Sequence, residues 1–226
     1  MRFLLYTLLL LIPCISLSQN PVNSGNMADG FKIMRGDSKT HSFLTDEWYV
    51  GYGIYENGNT SRPQKMNYDI HGNNLVYKTA GSDKAMKLLD TQFKGFILKG
   101  EDGDYLFTKI KGSEFEKDKD ETKYYRIVKA PSRKVIVEFE KELNDPNANG
   151  WQSSNQNTKN AEYDLKTNYY VLQKNGKYEE VKLKNKTVAK TFSDKRKELE
   201  DYMKSRNIHI ETPEDLLKVV EFYYSL

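Results

Sequence analysis

The side chains able to do chemistry are few and scattered. The three histidines, His41, His71 and His209, stand far apart, and none sits at a metal-ligand spacing such as His-x-x-x-His. They read as exposed or structural residues. Two carboxylate pairs, Glu47 with Glu56 and Asp102 with Asp104, have the right chemistry for glycosidic cleavage. That reaction needs carboxyl groups about 5–10 Å apart across a cleft. Asp102-Gly103-Asp104 also resembles a calcium loop, but the regularly spaced acids of an EF-hand are missing, so a solvated turn is expected. There is no G-x-S-x-G elbow and no phosphate loop. Gly51-Tyr52-Gly53 lies inside a strand pattern, not ahead of a helix. The aromatic residues remain. Trp48, Tyr49, Tyr52 and Tyr55 crowd one short stretch, and Trp151 stands alone in a polar one. Trp48, Tyr52, Tyr55 and Trp151 are therefore the candidate contacts for a sugar or a partner. Alternating aromatic residues in a strand also serve cross-strand packing. No catalytic, cofactor-binding or metal-binding residue is assigned, and no cofactor is expected.

Most of the elements that would position these groups follow a period of two. Trp48, Val50, Tyr52 and Ile54 share one face, with Tyr49, Gly51, Gly53 and Tyr55 on the other. The glycine face is expected to be the outer one, with strong twist or a close neighbour. Asn57-Gly58 then marks a hairpin. Further strands are expected over 64–70, 75–79, 85–89, 93–99, 105–110, 123–129 and 134–139, with a tight corner at Asp90-Thr91-Gln92. A last hairpin, 168–173 with 178–183, crosses Asn175-Gly176. The run Glu114 to Glu121 alternates in charge and reads as solvated surface. Residues 144–161 are rich in Asn, Gln and Ser and too poor in apolar groups to offset ordering entropy, so they read as a mobile loop. Near the C-terminus the period becomes 3.6. Ser193 is expected to cap a helix over 194–206. Thr212-Pro213-Glu214-Asp215 is a strong start signal for a second helix, apolar on most sides, that must dock on the sheet.

The N-terminus bounds the compartment. Arg2 precedes an uncharged run, Phe3 to Ile12, and Ser16-Leu17-Ser18 supplies small residues for a signal peptidase. Residues 1–18 read as a secretory signal peptide cleaved before Gln19. The run is too short for a permanent span, which leaves no transmembrane segment in the mature chain. Residues 19–45 read as a flexible lead-in with a short strand near 31–34. The one cysteine, Cys14, falls within the leader, so the mature chain has no disulfide and no thiol nucleophile. A lipobox would need a small residue before Cys14 and finds Pro13, so ordinary cleavage is expected over lipidation. Thirty-five basic residues against 32 acidic ones give a mixed surface with a net charge of +3. That argues against a nucleic-acid partner, which calls for clustered positive charge.

The order of these pieces resembles that of a group of exported proteins of Bacteroidetes, especially flavobacteria, with no assigned activity. The residues that carry the resemblance are Ile15-Ser16-Leu17-Ser18 before Gln19-Asn20, and Trp48 to Tyr55 running into Asn57-Gly58-Asn59-Thr60. Asp90 to Phe96, and Tyr169 to Leu172 with Asn175-Gly176-Lys177, also match. So do Phe192 to Asn207 and Glu214 to Tyr224. The first hairpin departs from the pattern, with Asn59 where an acid is expected. The resemblance implies shape and export, and it supplies no catalytic residue.

The expectation is an α+β protein. Residues 46–226 form a single β-rich domain, a curved antiparallel sheet or roll closed by two C-terminal helices. Its role is binding or assembly in the periplasm or at the outer membrane, without catalysis. Envelope proteins and glycans are the candidate partners, and peripheral membrane association is compatible with this. The alternatives are a carbohydrate-binding protein or carbohydrate-active enzyme, and an accessory subunit of an outer-membrane complex docking through Glu214–Leu226.

Overall fold

The computed structural model describes residues 40–79, 81, 84–88, 92–101, 103–145 and 161–226. The leader, most of the lead-in with its strand near 31–34, Asp90-Thr91, Asp102 and Trp151 lie outside them. The chain builds one ten-stranded sheet in which all neighbours are antiparallel. The strands are β1 (Tyr49–Tyr55), β2 (Gln64–Asp69), β3 (Asn74–Lys78), β4 (Ala85–Lys87), β5 (Phe93–Gly100) and β6 (Gly103–Ile110). They continue with β7 (Lys123–Lys129), β8 (Ser132–Asn144), β9 (Glu162–Leu172) and β10 (Tyr178–Val181). Their spatial order is β10-β9-β8-β7-β6-β5-β1-β2-β3-β4, so the sheet is open, with β10 and β4 at its edges.

The sheet nevertheless turns back over itself. β2 stays paired with β1 over three residues only, Tyr49↔Met66 to Gly51↔Gln64. Beyond them the β2–β3 ribbon leans across the inner face. Asn73 Nδ2 donates to the Thr122 carbonyl at 3.0 Å, and His71 Nδ1 lies 3.2 Å from the Lys141 carbonyl. In a flat sheet the four steps from β2 to β7 and the five to β8, about 4.8 Å each, would hold these groups roughly 19 and 24 Å apart. The curl brings Tyr68 of β2 to 5.6 Å from Tyr124 of β7, ring to ring, beside Phe96 and Phe107, which stack at 4.5 Å as cross-strand partners on β5 and β6. Buried Lys141 closes the seam by donating to the His41 carbonyl at 3.0 Å.

The facing of β1 is the reverse of the sequence expectation. Gly51 and Gly53 are buried, while Val50 on the other face is 48% exposed. A Cβ on Gly51 would lie 2.5 Å from the Ile97 carbonyl oxygen and 2.9 Å from Leu98 Cδ2. The expected close neighbour is real, but it belongs to the core.

Among the described residues three helices cover the inner face, the expected C-terminal pair and one helix before it. α1 (Asn185–Thr191) precedes a 3-10 turn, Ser193–Lys195, then α2 (Arg196–Ser205) and α3 (Pro213–Tyr223). α1 lies against β10, α3 lies on β7 and β8, and α2 joins α1 to α3. Ser193 opens the 3-10 turn and does not cap α2, whose N-cap is Lys195, without a side-chain bond. The start of α3 is as expected. Thr212 Oγ1 accepts from the Asp215 N–H at 3.1 Å, and Asp215 Oδ2 accepts from the Thr212 N–H at 3.3 Å. Leu216, Leu217, Val219, Val220 and Tyr223 are buried, so the apolar side of α3 is already committed to the fold.

The capping box yields a first prediction. Thr212→Ala removes the side-chain acceptor of the first turn. It should lower stability by about 1 kcal/mol, read as a lower urea midpoint at unchanged m-value.

Candidate functional site

The inner face is sealed by helices and ribbon. The outer face of β6–β10 carries a second apolar cluster, Ile110, Tyr125, Ile136, Tyr170 and Tyr178, joined by Phe115 from the β6–β7 connection. Strand alternation puts it there. Val135, Val137 and Phe139 point inward, which sends Ile136 and Glu138 outward. In register with Glu138 stands Asn168 of β9, and Ile136 stands opposite Tyr170. The row is thus apolar and aromatic with one carboxylate in its middle.

A strap, residues 111–122, covers this row. It closes on itself, because the Gly112 carbonyl accepts from the Phe115 N–H at 3.2 Å and from the Lys119 N–H at 3.1 Å. The Glu114 carboxylate also takes the Lys111 N–H at 3.1 Å. Gly112 is required there, since a Cβ would lie 1.8 Å from the Lys119 carbonyl oxygen. Phe115 drops into the row at 1% exposure, against Tyr125, Tyr170 and Tyr178. It also makes a single parallel bridge to Tyr178, and Glu116 N–H donates to the Tyr178 carbonyl at 2.9 Å. From the β9–β10 turn, Lys177 Nζ reaches the Phe115 carbonyl and Asp118 Oδ1, both at 3.3 Å, and Asn175 donates to Glu116.

Lys119, four residues after Phe115, sends its ammonium to Glu138 Oε2 at 2.6 Å and to the Tyr170 hydroxyl at 2.8 Å. The ammonium lies 5.0, 5.7 and 4.6 Å from the ring centres of Phe115, Tyr125 and Tyr170. That is an aromatic cage around a cation. Glu138 is 1% exposed. Tyr170 donates to it at 2.6 Å, Tyr125 at 3.4 Å and Asn168 Nδ2 at 3.4 Å. Burial pushes its carboxyl up. The hydrogen bonds from Lys119 and Tyr170, with the Lys119 charge and Asn168, outweigh burial and hold it below the usual carboxylate range. Burial first, then the Glu138 charge and hydrogen bond, raise the Tyr125 phenol; burial and the same carboxylate raise Tyr170. A carboxylate kept ionised and phenols kept neutral do not exchange protons near neutral pH. The centre holds the Lys119 ammonium.

Between the strap and the sheet edge a cleft of about 390 Å³ stays open. Phe115, Glu116, Lys117 and Lys119 form one wall, with Tyr170, Tyr178, Glu179 and Glu180 opposite. Burial, and then the Glu116 charge, raise the Glu179 carboxyl. A second cleft of about 360 Å³ lies beside α1 and α2, next to His209.

The aromatic residues singled out from sequence lie elsewhere. Trp48 sits under the Lys78 ammonium at 4.8 Å and against Phe43 at 5.4 Å. Tyr52 lies under Lys99, which also pairs with Asp104. Tyr55 packs on Phe93 at 4.8 Å. Each ring is engaged by a different neighbour. Glu47 and Glu56 flank the seven residues of β1, roughly 20 Å of strand at about 3.3 Å per residue, beyond glycosidase reach. His41 pairs with Asp46 at 3.0 Å and, with His71, adjoins Lys141. Among the described residues no group of three His, Cys, Asp or Glu is placed to hold a metal ion. No helix of the described residues is long and apolar enough to cross a membrane.

Sequence reading missed Lys119, Glu138 and Tyr170. One signal was available, a glutamate flanked on both sides by strand-forming apolar residues, Val137 and Phe139. No family model, curated protein or solved structure matches this chain.

Two predictions follow from the strap. Gly112→Ala should loosen it, seen as faster amide exchange at Phe115 and Lys119 with β7–β9 protection unchanged. The second concerns acid. The folded carboxyl of Glu138 lies below its unfolded value of about 4.3. Its contribution is complete above that value and is lost as pH falls through the folded one. The stability gap between wild type and Glu138→Gln should therefore be widest above about pH 5 and narrow below about pH 4. Urea midpoints measured from pH 6 to pH 3 check this.

Proposed function

We propose that this chain is an exported protein of the bacterial cell envelope, of the flavobacterial kind its hairpins and C-terminal helices resemble, and that it works by binding, with the cleft beside the strap as its contact site. The leader-like N-terminus supports export. The observation that supports binding over catalysis is the Lys119–Glu138 centre. It is a built polar site whose buried carboxylate is held ionised by the Lys119 ammonium and the Tyr170 phenol bonded to it, beside an open cleft at a sheet edge. Docking through the C-terminal helix has less support, because α3 buries its apolar side within the protein.

The test has two parts. Mass spectrometry of protein recovered from envelope fractions should give an N-terminus at Gln19. A photo-crosslinking residue at Lys117, on the cleft wall, should give one discrete heavier adduct in intact cells. The same residue at exposed Lys218 on α3 should give none. Retention of Met1, or identical patterns from the two positions, would refute the proposal.

A further inference from the structure

Resting on the binding reading above, we infer that the strap occupies a peptide receptor as a tethered ligand. The partner's recognition segment would then be a peptide with an aromatic residue followed four positions later by a lysine. The strap displays the chemistry that its seat selects. Its grip on the outer face comes chiefly from two side chains, Phe115 among Tyr125, Tyr170 and Tyr178, and Lys119 on Glu138 inside the cage. Its direct backbone contact with the sheet is one parallel bridge at the edge strand β10. The remaining order of the strap comes from its internal bonds, through the Gly112 carbonyl and the Glu114 carboxylate, and from side chains of two turns, Lys177 and Asn175 on its middle and Asn73 on the Thr122 carbonyl.

Such a segment can leave as a unit without breaking a ladder. The sheet beneath is held by β7–β8 and β8–β9 pairing that does not involve the strap. The seat is also not flush, since beside the Phe115–Tyr178 bridge a cleft of about 390 Å³, lined by Lys117, Glu179 and Glu180 among others, lies open at the β10 edge, the route an incoming chain would take. Addition of an extended peptide at a sheet edge, with pockets for particular side chains, is a recurring recognition mode. An incoming lysine finds a carboxylate kept ionised and two rings, Tyr125 and Tyr170, with the incoming aromatic residue supplying the third ring of the cage; that aromatic side chain finds Tyr125, Tyr170 and Tyr178.

Tethering sets the scale. A short flexible tether acts as an effective concentration on the order of millimolar. Wild-type protein should therefore resist a free competitor peptide until it approaches that range.

The test uses the full chain and a synthetic peptide with the sequence of residues 111–122. A Phe115→Ser, Lys119→Ser variant leaves the seat empty. The peptide should bind this variant one to one, at a concentration at least tenfold below that needed with wild type. Peptides with either the Phe or the Lys replaced by Ser should lose at least tenfold. A folded variant that ignores the peptide, or binds all three equally, overturns the inference. A crosslinked adduct at Lys117 would still uphold the binding role. If the variant does not fold, amide exchange of the wild type decides. Phe115 and Lys119 amides should exchange by local opening, well ahead of β7–β9, whereas exchange only with global unfolding overturns the inference.

Discussion

A carboxylate in the middle of a buried sheet face must be answered, and the architecture of the outer face follows from that requirement. Glu138 stands among Ile136, Tyr125 and Tyr170 with 1% of its surface exposed. An isolated charge there would be prohibitively costly. Two phenols, an amide and an ammonium surround it instead. Three of these come from strands already in place. The fourth comes from a strap that must pass over the sheet, close at Gly112 and return to β7. The ion pair therefore fixes where residues 111–122 go.

The strands could be read from sequence because alternation and Asn-Gly turns are local signals. The same holds for α3, whose Thr-Pro-Glu-Asp start depends on four adjacent residues. What was not legible depends on distant partners. α1 has two fully buried residues, Val188 and Ala189, and no side-chain cap at Lys184, so it shows neither a stripe nor a start signal. β8 and β9 run on to Asn144 and from Glu162 because they pair with each other, although Glu162 to Lys166 alternate polar with half-exposed residues and look like loop. The facing of β1 departs from the sequence expectation because its glycines do not mark the wet side. Here they mark the side on which the Ile97 carbonyl and Leu98, at Gly51, and the Phe93 ring, at Gly53, come too close for a Cβ.

The site was hidden for a related reason. Ile136, Glu138 and Glu140 on one face of β8, with Val135, Val137 and Phe139 on the other, are the pattern of a half-wet strand. Glu114 to Glu121 has the pattern of a solvated run. Each reading is sound by itself. Only the curl and order of the sheet lay the second segment over the first and convert two ordinary surface patterns into one buried centre.

The division of labour within the strap follows from magnitudes. Burying a phenylalanine side chain is worth about 2 kcal/mol. A buried ion pair, after desolvation of both partners, contributes little net stability, yet removing one member is strongly destabilising. Phe115 therefore supplies most of the attraction that keeps the strap down. Lys119 supplies register, since any shift that keeps an aromatic residue in the groove but withdraws the ammonium leaves Glu138 buried and uncompensated. The four-residue spacing between Phe115 and Lys119 is then the feature of the strap that the sheet reads. Of the intervening residues, Glu116 and Asp118 are engaged by Asn175 and Lys177 of the β9–β10 turn, and Lys117 lines the cleft.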